Sequence, residues 1–163
     1  MNQKNNYILL TDSRQRKEEH IVKEFNIQNI LHIRTGLPSG DYMVVRYDEI
    51  KGFYLDYSTI IDTKKDIVEI CGNLCSTTQH ERIKREIAKA HELGCKRFIF
   101  LIADAKITCI DELDGWRSSR TNVKGEVLAK VMKTMSERYG CEFIFCKKKE
   151  MATKIISFLT NES

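Results

Sequence analysis

Proline is all but missing from this chain: Pro38 is the only one, and glycine is sparse at eight residues. That scarcity excludes collagen-like repeats and Pro/Gly-rich linkers, and no low-complexity segment or internal repeat appears. No apolar run approaches the roughly 20 residues that a membrane-spanning helix needs. The opening Met1-Asn2-Gln3-Lys4 lacks the apolar core of a signal peptide. A cytoplasmic protein with no membrane partner is therefore the expectation. No CxxC pair occurs among the six cysteines. Cys95, Cys141 and Cys146 sit at or beside strand-like runs, where a thiol behaves as a small hydrophobe. Cys71 and Cys75 share a helical spacing, but no well-placed histidine completes a zinc site, so ordinary packing is the expectation.

What remains is a 163-residue chain with short periodic apolar blocks and a mild net charge of +4. It is long enough to bury a core, and one domain over residues 1–163 is the simplest organisation. The charge permits nucleic-acid binding without demanding it. Its distribution is more informative: Arg82, Lys84 and Arg85 with Lys96 and Arg97, then Arg117, Arg120 and Lys124, then Lys147-Lys148-Lys149.

Tyr7–Thr11 reads as a strand ending at Asp12, followed by a short helix over Glu18–Phe25 and a strand over Asn29–Arg34. Thr35–Gly40 is turn chemistry. Tyr42–Tyr47 and Gly52–Tyr57 read as a hairpin, with Ser58–Lys64 continuing the second strand or forming the next one. A helix with Ile67, Ile70, Cys71 and Leu74 inward should follow, broken near Gly72-Asn73 and again at Ser76–Thr78. Thr78-Gln79-His80-Glu81 resembles a capping box, so another helix is expected to start there and to end near Gly94. Phe98–Ile102 is an unbroken apolar run, as in a strand buried on both faces. A short helix over Thr108–Trp116, a polar loop over Arg117–Thr121, a helix with Val127 to Tyr139 on one stripe, a strand over Glu142–Cys146 and a helix over Met151–Leu159 complete the pattern. This order predicts an α/β fold with a central mixed sheet and helices on both faces.

Gly40-Asp41-Tyr42 and Ile60-Ile61-Asp62-Thr63-Lys64 carry the chemistry. Apolar residues before Asp12 and Asp62 would bring acidic groups to one sheet edge. Buried carboxylates repel one another and lose hydration, so such a cluster is stable mainly around a cation. Lys64 shares a face with Asp62, because side chains alternate along a strand. The pattern is D…(D/E)xK, that of a phosphodiesterase using Mg2+ or Mn2+. Asp41 and Asp62 would hold the metal, the Thr63 carbonyl offers a further oxygen, and Lys64 would orient water or stabilise developing charge. On its own, a Gly-Asp pair is often only a turn, and D-x-K arises by chance.

Together with Asp12-Ser13-Arg14-Gln15, these motifs resemble the XPF-type nuclease domain, named for excision repair cross-complementing group four. It belongs to the restriction-endonuclease-like PD-(D/E)XK superfamily. Glu69-x-x-Gly72-Asn73-Leu74, His80-Glu81-Arg82 and Gly125-Glu126-x-Leu128-x-Lys130 are similar to a compact bacterial and phage branch. The resemblance runs from Tyr7 to Leu159. It implies a restriction-endonuclease-like fold, a metal-dependent DNA endonuclease acting on branched or flap DNA, and dimerisation as relatives commonly show. Asp12 corresponds to the first acid of a D-x-R-E element and is a further catalytic candidate, with Arg14 as its arginine. Asp62 stands for the glutamate of an E-R-K element and Lys64 for its lysine. Gln15 replaces a glutamate, Thr63 an arginine and Val68 an aspartate, which favours the rival reading: a catalytically weakened DNA-binding or protein-interaction module. Arg14, Arg82, Arg85, Arg117 and Arg120 are the candidates for DNA contact. His80 serves either the site or merely a helix end, Trp116 either an unpaired base or the core, and the Val127–Tyr139 stripe either a dimer or, more simply, the core.

Overall fold

The computed structural model describes residues 6–15 and 18–161; Met1-Asn2-Gln3-Lys4, read above as lacking a signal-peptide core, lies outside the described residues. Six strands form one mixed sheet. In chain order they are β1 (Tyr7–Asp12), β2 (His32–Thr35), β3 (Tyr42–Asp48), β4 (Gly52–Lys64), β5 (Arg97–Ala103) and β6 (Cys141–Cys146). Their spatial order is β2-β1-β3-β4-β5-β6. β1 runs parallel to β2, β3 is antiparallel to both β1 and β4, and β4, β5 and β6 are parallel. The two parallel flanks joined through one reversed strand give the mixed sheet of the restriction-endonuclease-like fold expected from the sequence.

The helices are α1 (Glu19–Ile27), α2 (Ile67–Cys75), α3 (Thr77–Glu92), α4 (Gly125–Tyr139) and α5 (Met151–Thr160). Two apolar layers separate them. One packs Ile70, Leu74, Ile83, Ile87, Leu128 and Met132 of α2, α3 and α4 on Ile60, Phe98, Phe100 and Ile102. The other packs Ile21 and Phe25 of α1 and Ile155 and Leu159 of α5 on Leu9, Tyr42, Ile61, Ile99 and Leu101. β5 lies between the layers and is buried on both faces from Phe98 onward, so its apolar run is continuous rather than alternating. Each of those large side chains contributes about 1.5–3 kcal/mol by leaving water.

Several boundaries differ from those expected. β2 starts at His32 rather than Asn29, because Asn29 takes a positive φ of 54° that ends the preceding turn. α2 runs through Gly72-Asn73 without a break, since Ile70, Cys71 and Leu74 bury one continuous stripe that outweighs the weak helix propensity of those two residues. α3 begins at Thr77, one residue early, and its N-cap Ser76 makes no side-chain capping bond, so no capping box forms. Thr108–Trp116 contains only a 3-10 turn, Ile110–Leu113, with Leu113 as its buried anchor. The α4 stripe supplies the core through Leu128, Met132 and Met135 and leaves Val127 on the surface. Trp116 packs half-buried against the same layer. All six cysteines are free. Among the described residues no helix is long and apolar enough to cross a membrane.

The topology builds the site. Because β3 is antiparallel to both neighbours, its start lies beside the ends of β1 and β4. Asp12, Asp41, Asp62 and Lys64 therefore reach one edge of the sheet from three strands. Gly40 makes the turn into β3 at a positive φ of 65°. A Cβ there would lie 2.5 Å from Ile60 Cγ2 and 3.0 Å from Ile61 O, so the glycine of the Gly-Asp pair is required for both backbone conformation and close approach. Gly40→Ala should lower stability by roughly 2–4 kcal/mol, combining left-handed strain with overpacking. Urea unfolding measures it, and an unchanged midpoint would contradict this reading of the turn.

Candidate active site

Asp41 is held at both ends. Its backbone N–H donates to Ile61 O at 2.8 Å, and its carbonyl accepts from Asp12 N at 2.8 Å. Its carboxylate Oδ2 accepts from Thr63 N at 2.8 Å and from Thr63 Oγ1 at 2.9 Å. Thr63 thus binds the neighbouring strand's acid with backbone and side chain together. Gln15 Nε2 supports it from behind, donating to Thr63 Oγ1 at 3.2 Å.

On the opposite face of β4, Asp62 and Lys64 are both buried, and Lys64 Nζ stands 2.6 Å from Asp62 Oδ1. That oxygen has no well-directed hydrogen-bond donor, so the amine's charge is its compensation. The amine also lies 5.8 Å from the centre of the Phe100 ring. Burial works against the Lys64 charge, yet Asp62, Asp41 and Glu69 outweigh it and the amine titrates above its ordinary range. Asp41 is pushed well above the usual carboxylate range by burial first, then by the charges of Asp62 and Glu18, against the pull of the Thr63 N–H and Lys64.

Asp12 is engaged differently. Its Oδ2 accepts from Arg14 Nε at 2.7 Å and its Oδ1 from Leu37 N at 3.3 Å, while Arg14 also donates to Leu37 O. This acid and its arginine therefore fasten the turn that leads to Asp41. Asp66 accepts from Glu69 N at 2.8 Å and Glu69 from Lys65 N at 2.8 Å, so both shape the start of α2. Val68 is half-buried beside them. His80 donates from Nδ1 to Leu74 O at 2.8 Å and closes the end of α2.

Two carboxylates reach the site without having been marked in the sequence. Glu18, buried just before α1, accepts from the Tyr42 hydroxyl at 2.5 Å. Glu86 of α3 accepts from Gly40 N at 3.2 Å. Burial raises both above the usual range, reinforced by the charge of Asp62. Neither sits in a motif. Glu86 has only its helical register with buried Ile83 and Ile87 as a sequence signal.

The candidate DNA-contacting residues Arg82, Arg85, Arg117 and Arg120 are exposed, and among the described residues none is in an ion pair. Arg82 lies close enough to Glu86 to oppose its rise. Arg120 and Lys65 line a cavity of about 270 Å³ against α2. Lys65 also joins Lys147, Lys148 and Lys149 around a cavity of about 600 Å³ beside the ends of β4, β5 and β6.

Among the described residues no three His, Cys, Asp or Glu side chains are set to cage a metal, which argues against a closed zinc-type centre. The donors at the edge are carboxylate oxygens. Asp41 is raised by burial and then by its acidic neighbours, and Asp62 Oδ1 lacks a directed donor. Such an oxygen-only pair fits a hard cation that retains much of its water, as Mg2+ does.

The family described as the ERCC4 domain matches residues 11–159, and the chain belongs to it. Its fold is the restriction-endonuclease-like one seen here, and its domains are nucleases acting on DNA, generally dependent on a divalent metal. The chain is thus of the nuclease class, with DNA as its partner. Among curated proteins none matches it.

The raised Asp41 value has a measurable consequence. Metal-free protein is stabilised by protonated Asp41 below the ordinary value of 3.8. As pH rises above that value the unfolded chain loses its proton first, so stability falls until pH passes the raised folded value. Asp41→Asn should match wild type near pH 4 and become progressively more stable than it above that. Thermal unfolding in EDTA across pH 4–8 measures the difference, and parallel profiles would contradict the crowding of Asp41.

Proposed function

We propose that this chain is a divalent-metal-dependent DNA endonuclease, with Asp41 and Asp62 as metal ligands and Lys64 as the group facing the scissile phosphate. The observation that carries it is the meeting of half-buried Asp41 with buried Asp62 and Lys64 at a single sheet edge. Mg2+ or Mn2+ bound there supplies phosphate charge neutralisation and an acidified water. The Thr63 carbonyl is assigned as a further oxygen ligand, and the Thr63 N–H and hydroxyl fix the direction of Asp41. Asp12 acts with Arg14 by holding the Leu37 turn. Lys64, now paired with Asp62, would face a phosphate oxygen once Asp62 served as a metal ligand, and a positioned charge there would stabilise the transition state.

Arg14, Arg82, Arg85, Arg117 and Arg120 are proposed to hold the phosphate backbone, with Lys65 and Lys147–Lys149 extending the basic track from the site along the sheet edge. Branched or flap DNA is the proposed substrate. The cytoplasm is the proposed location. The reading draws every site residue from one copy of one domain, residues 1–163, and so needs no second copy.

A second reading, a DNA-binding module with weakened catalysis, is favoured by the closed Asp62–Lys64 ion pair and by Gln15, Thr63 and Val68 at positions where the resemblance expects Glu, Arg and Asp. Cleavage of flap, fork and junction DNA in Mg2+ or Mn2+ separates the two. The endonuclease reading expects cleavage that falls at least about a hundredfold in Asp62→Ala and in Lys64→Ala, the size of losing a principal electrostatic group, with folding and DNA binding retained. Absence of cleavage by wild type, with binding unchanged in Asp41→Ala, would establish the module instead.

A further inference from the structure

Glu18 is buried, acidic and without an ordinary occupation. It occupies the N-cap position of α1, where a carboxylate usually accepts a backbone N–H, yet its side chain makes no capping bond. It turns inward instead and accepts the Tyr42 hydroxyl at 2.5 Å. Among the described residues no cationic side chain pairs with it. The site's amine, Lys64, is already engaged by Asp62. Glu18 therefore adds a third acidic group to Asp41 and Asp62, and among the described residues the fold gains neither a helix cap nor an ion pair from it.

Its one side-chain hydrogen bond leads to Asp41 through Tyr42. Tyr42 follows Asp41 directly in the chain, and its ring is fixed edge-on to Phe25 at 6.1 Å, so the Glu18–Tyr42 bond anchors the start of β3. Thr63 donates its hydroxyl to Asp41 Oδ2 at 2.9 Å and accepts from Gln15 Nε2 at 3.2 Å, so it holds Asp41 on the same side of the sheet without a bond to Glu18. A cavity of about 270 Å³ opens on the outer side of Glu18, lined by Gln15, Arg34 and Tyr42 among others. Direct ligation by all three acids is not available, because no three-carboxylate cage exists among the described residues.

We propose that Glu18 is a positioning residue: through Tyr42 it fixes the start of β3 that carries Asp41, and its charge strengthens the field that draws a divalent cation to Asp41 and Asp62. The assignment rests on the metal-dependent reading above. Supporting groups of this kind commonly change metal affinity by about 10–100-fold. A buried unpaired charge also costs stability in the metal-free protein, so affinity and apo stability should move in opposite directions when it is removed.

Glu18→Gln keeps the shape and an acceptor for Tyr42 while removing the charge, Glu18→Asp keeps the charge, and Glu19→Gln is the exposed control. Mn2+ binding is followed by electron paramagnetic resonance, thermal unfolding in EDTA reports the apo fold, and cleavage kinetics give kcat and KM. In Glu18→Gln, Mn2+ affinity should fall about tenfold or more, with the metal-free Tm raised, kcat lowered and KM for DNA unchanged. Glu18→Asp should recover part of the affinity, and Glu19→Gln should match wild type. A lowered Tm with unchanged Mn2+ affinity would make Glu18 structural and overturn the proposal. Wild-type protein that binds no Mn2+ would sink the parent reading as well, whereas equal binding by wild type and Glu18→Gln would sink this one alone.

Discussion

Asp41 and Asp62 lose hydration at the same sheet edge, and the chain compensates each in its own way. Asp41 receives an N–H and a hydroxyl from Thr63, while Asp62 receives the charge of Lys64. Thr63 lies between the other two in the chain, so strand alternation sends its side chain to one face and theirs to the other. A single three-residue segment thereby holds the acid of the neighbouring strand with its middle residue and presents an acid and an amine with its ends. Everything else near the edge either fixes this arrangement or adds charge to it.

The sheet divides the site into two sides with different tasks. On the α3 side, Asp62 and Lys64 stand with Glu86 and Arg82 nearby, and Glu86 ties the Gly40 turn to the helix. On the α1 side, Asp41, Thr63, Gln15, Tyr42 and Glu18 form a hydrogen-bonded support. Acidic groups at the centre and basic residues at the rim, unpaired among the described residues, are the charge distribution that the proposed endonuclease requires. Of the three departures from the family pattern, Gln15 and Thr63 fall on this support and Val68 lies in α2, so none falls on Asp41, Asp62 or Lys64. Gln15 and Thr63 hydrogen-bond to one another at 3.2 Å.

The placement of Asp41, Asp62 and Lys64 at one sheet edge was legible in the sequence because its information is local. A glycine before an acid marks a turn needing positive φ, and an apolar run before D-x-K marks a strand that delivers alternate residues to one face. The same locality made β5 and the α4 stripe readable. Glu18 and Glu86 were not legible, since their meaning depends on how α1 and α3 pack against the sheet, and no spacing within either helix reveals it. Gly72-Asn73 misled for a related reason: weak propensity suggested a break, but burial of Ile70, Cys71 and Leu74 in one stripe carried the helix through. The Thr108–Trp116 segment had the composition of a helix yet buries only Leu113 of its 3-10 turn, too little to extend it.

The account is tested most directly by crystals grown with Mn2+ and measured at the manganese absorption edge. It predicts an anomalous peak between the Asp41 and Asp62 carboxylates, with the Lys64 amine withdrawn from Asp62. An empty edge at saturating Mn2+, with the Asp62–Lys64 ion pair still closed, would contradict it.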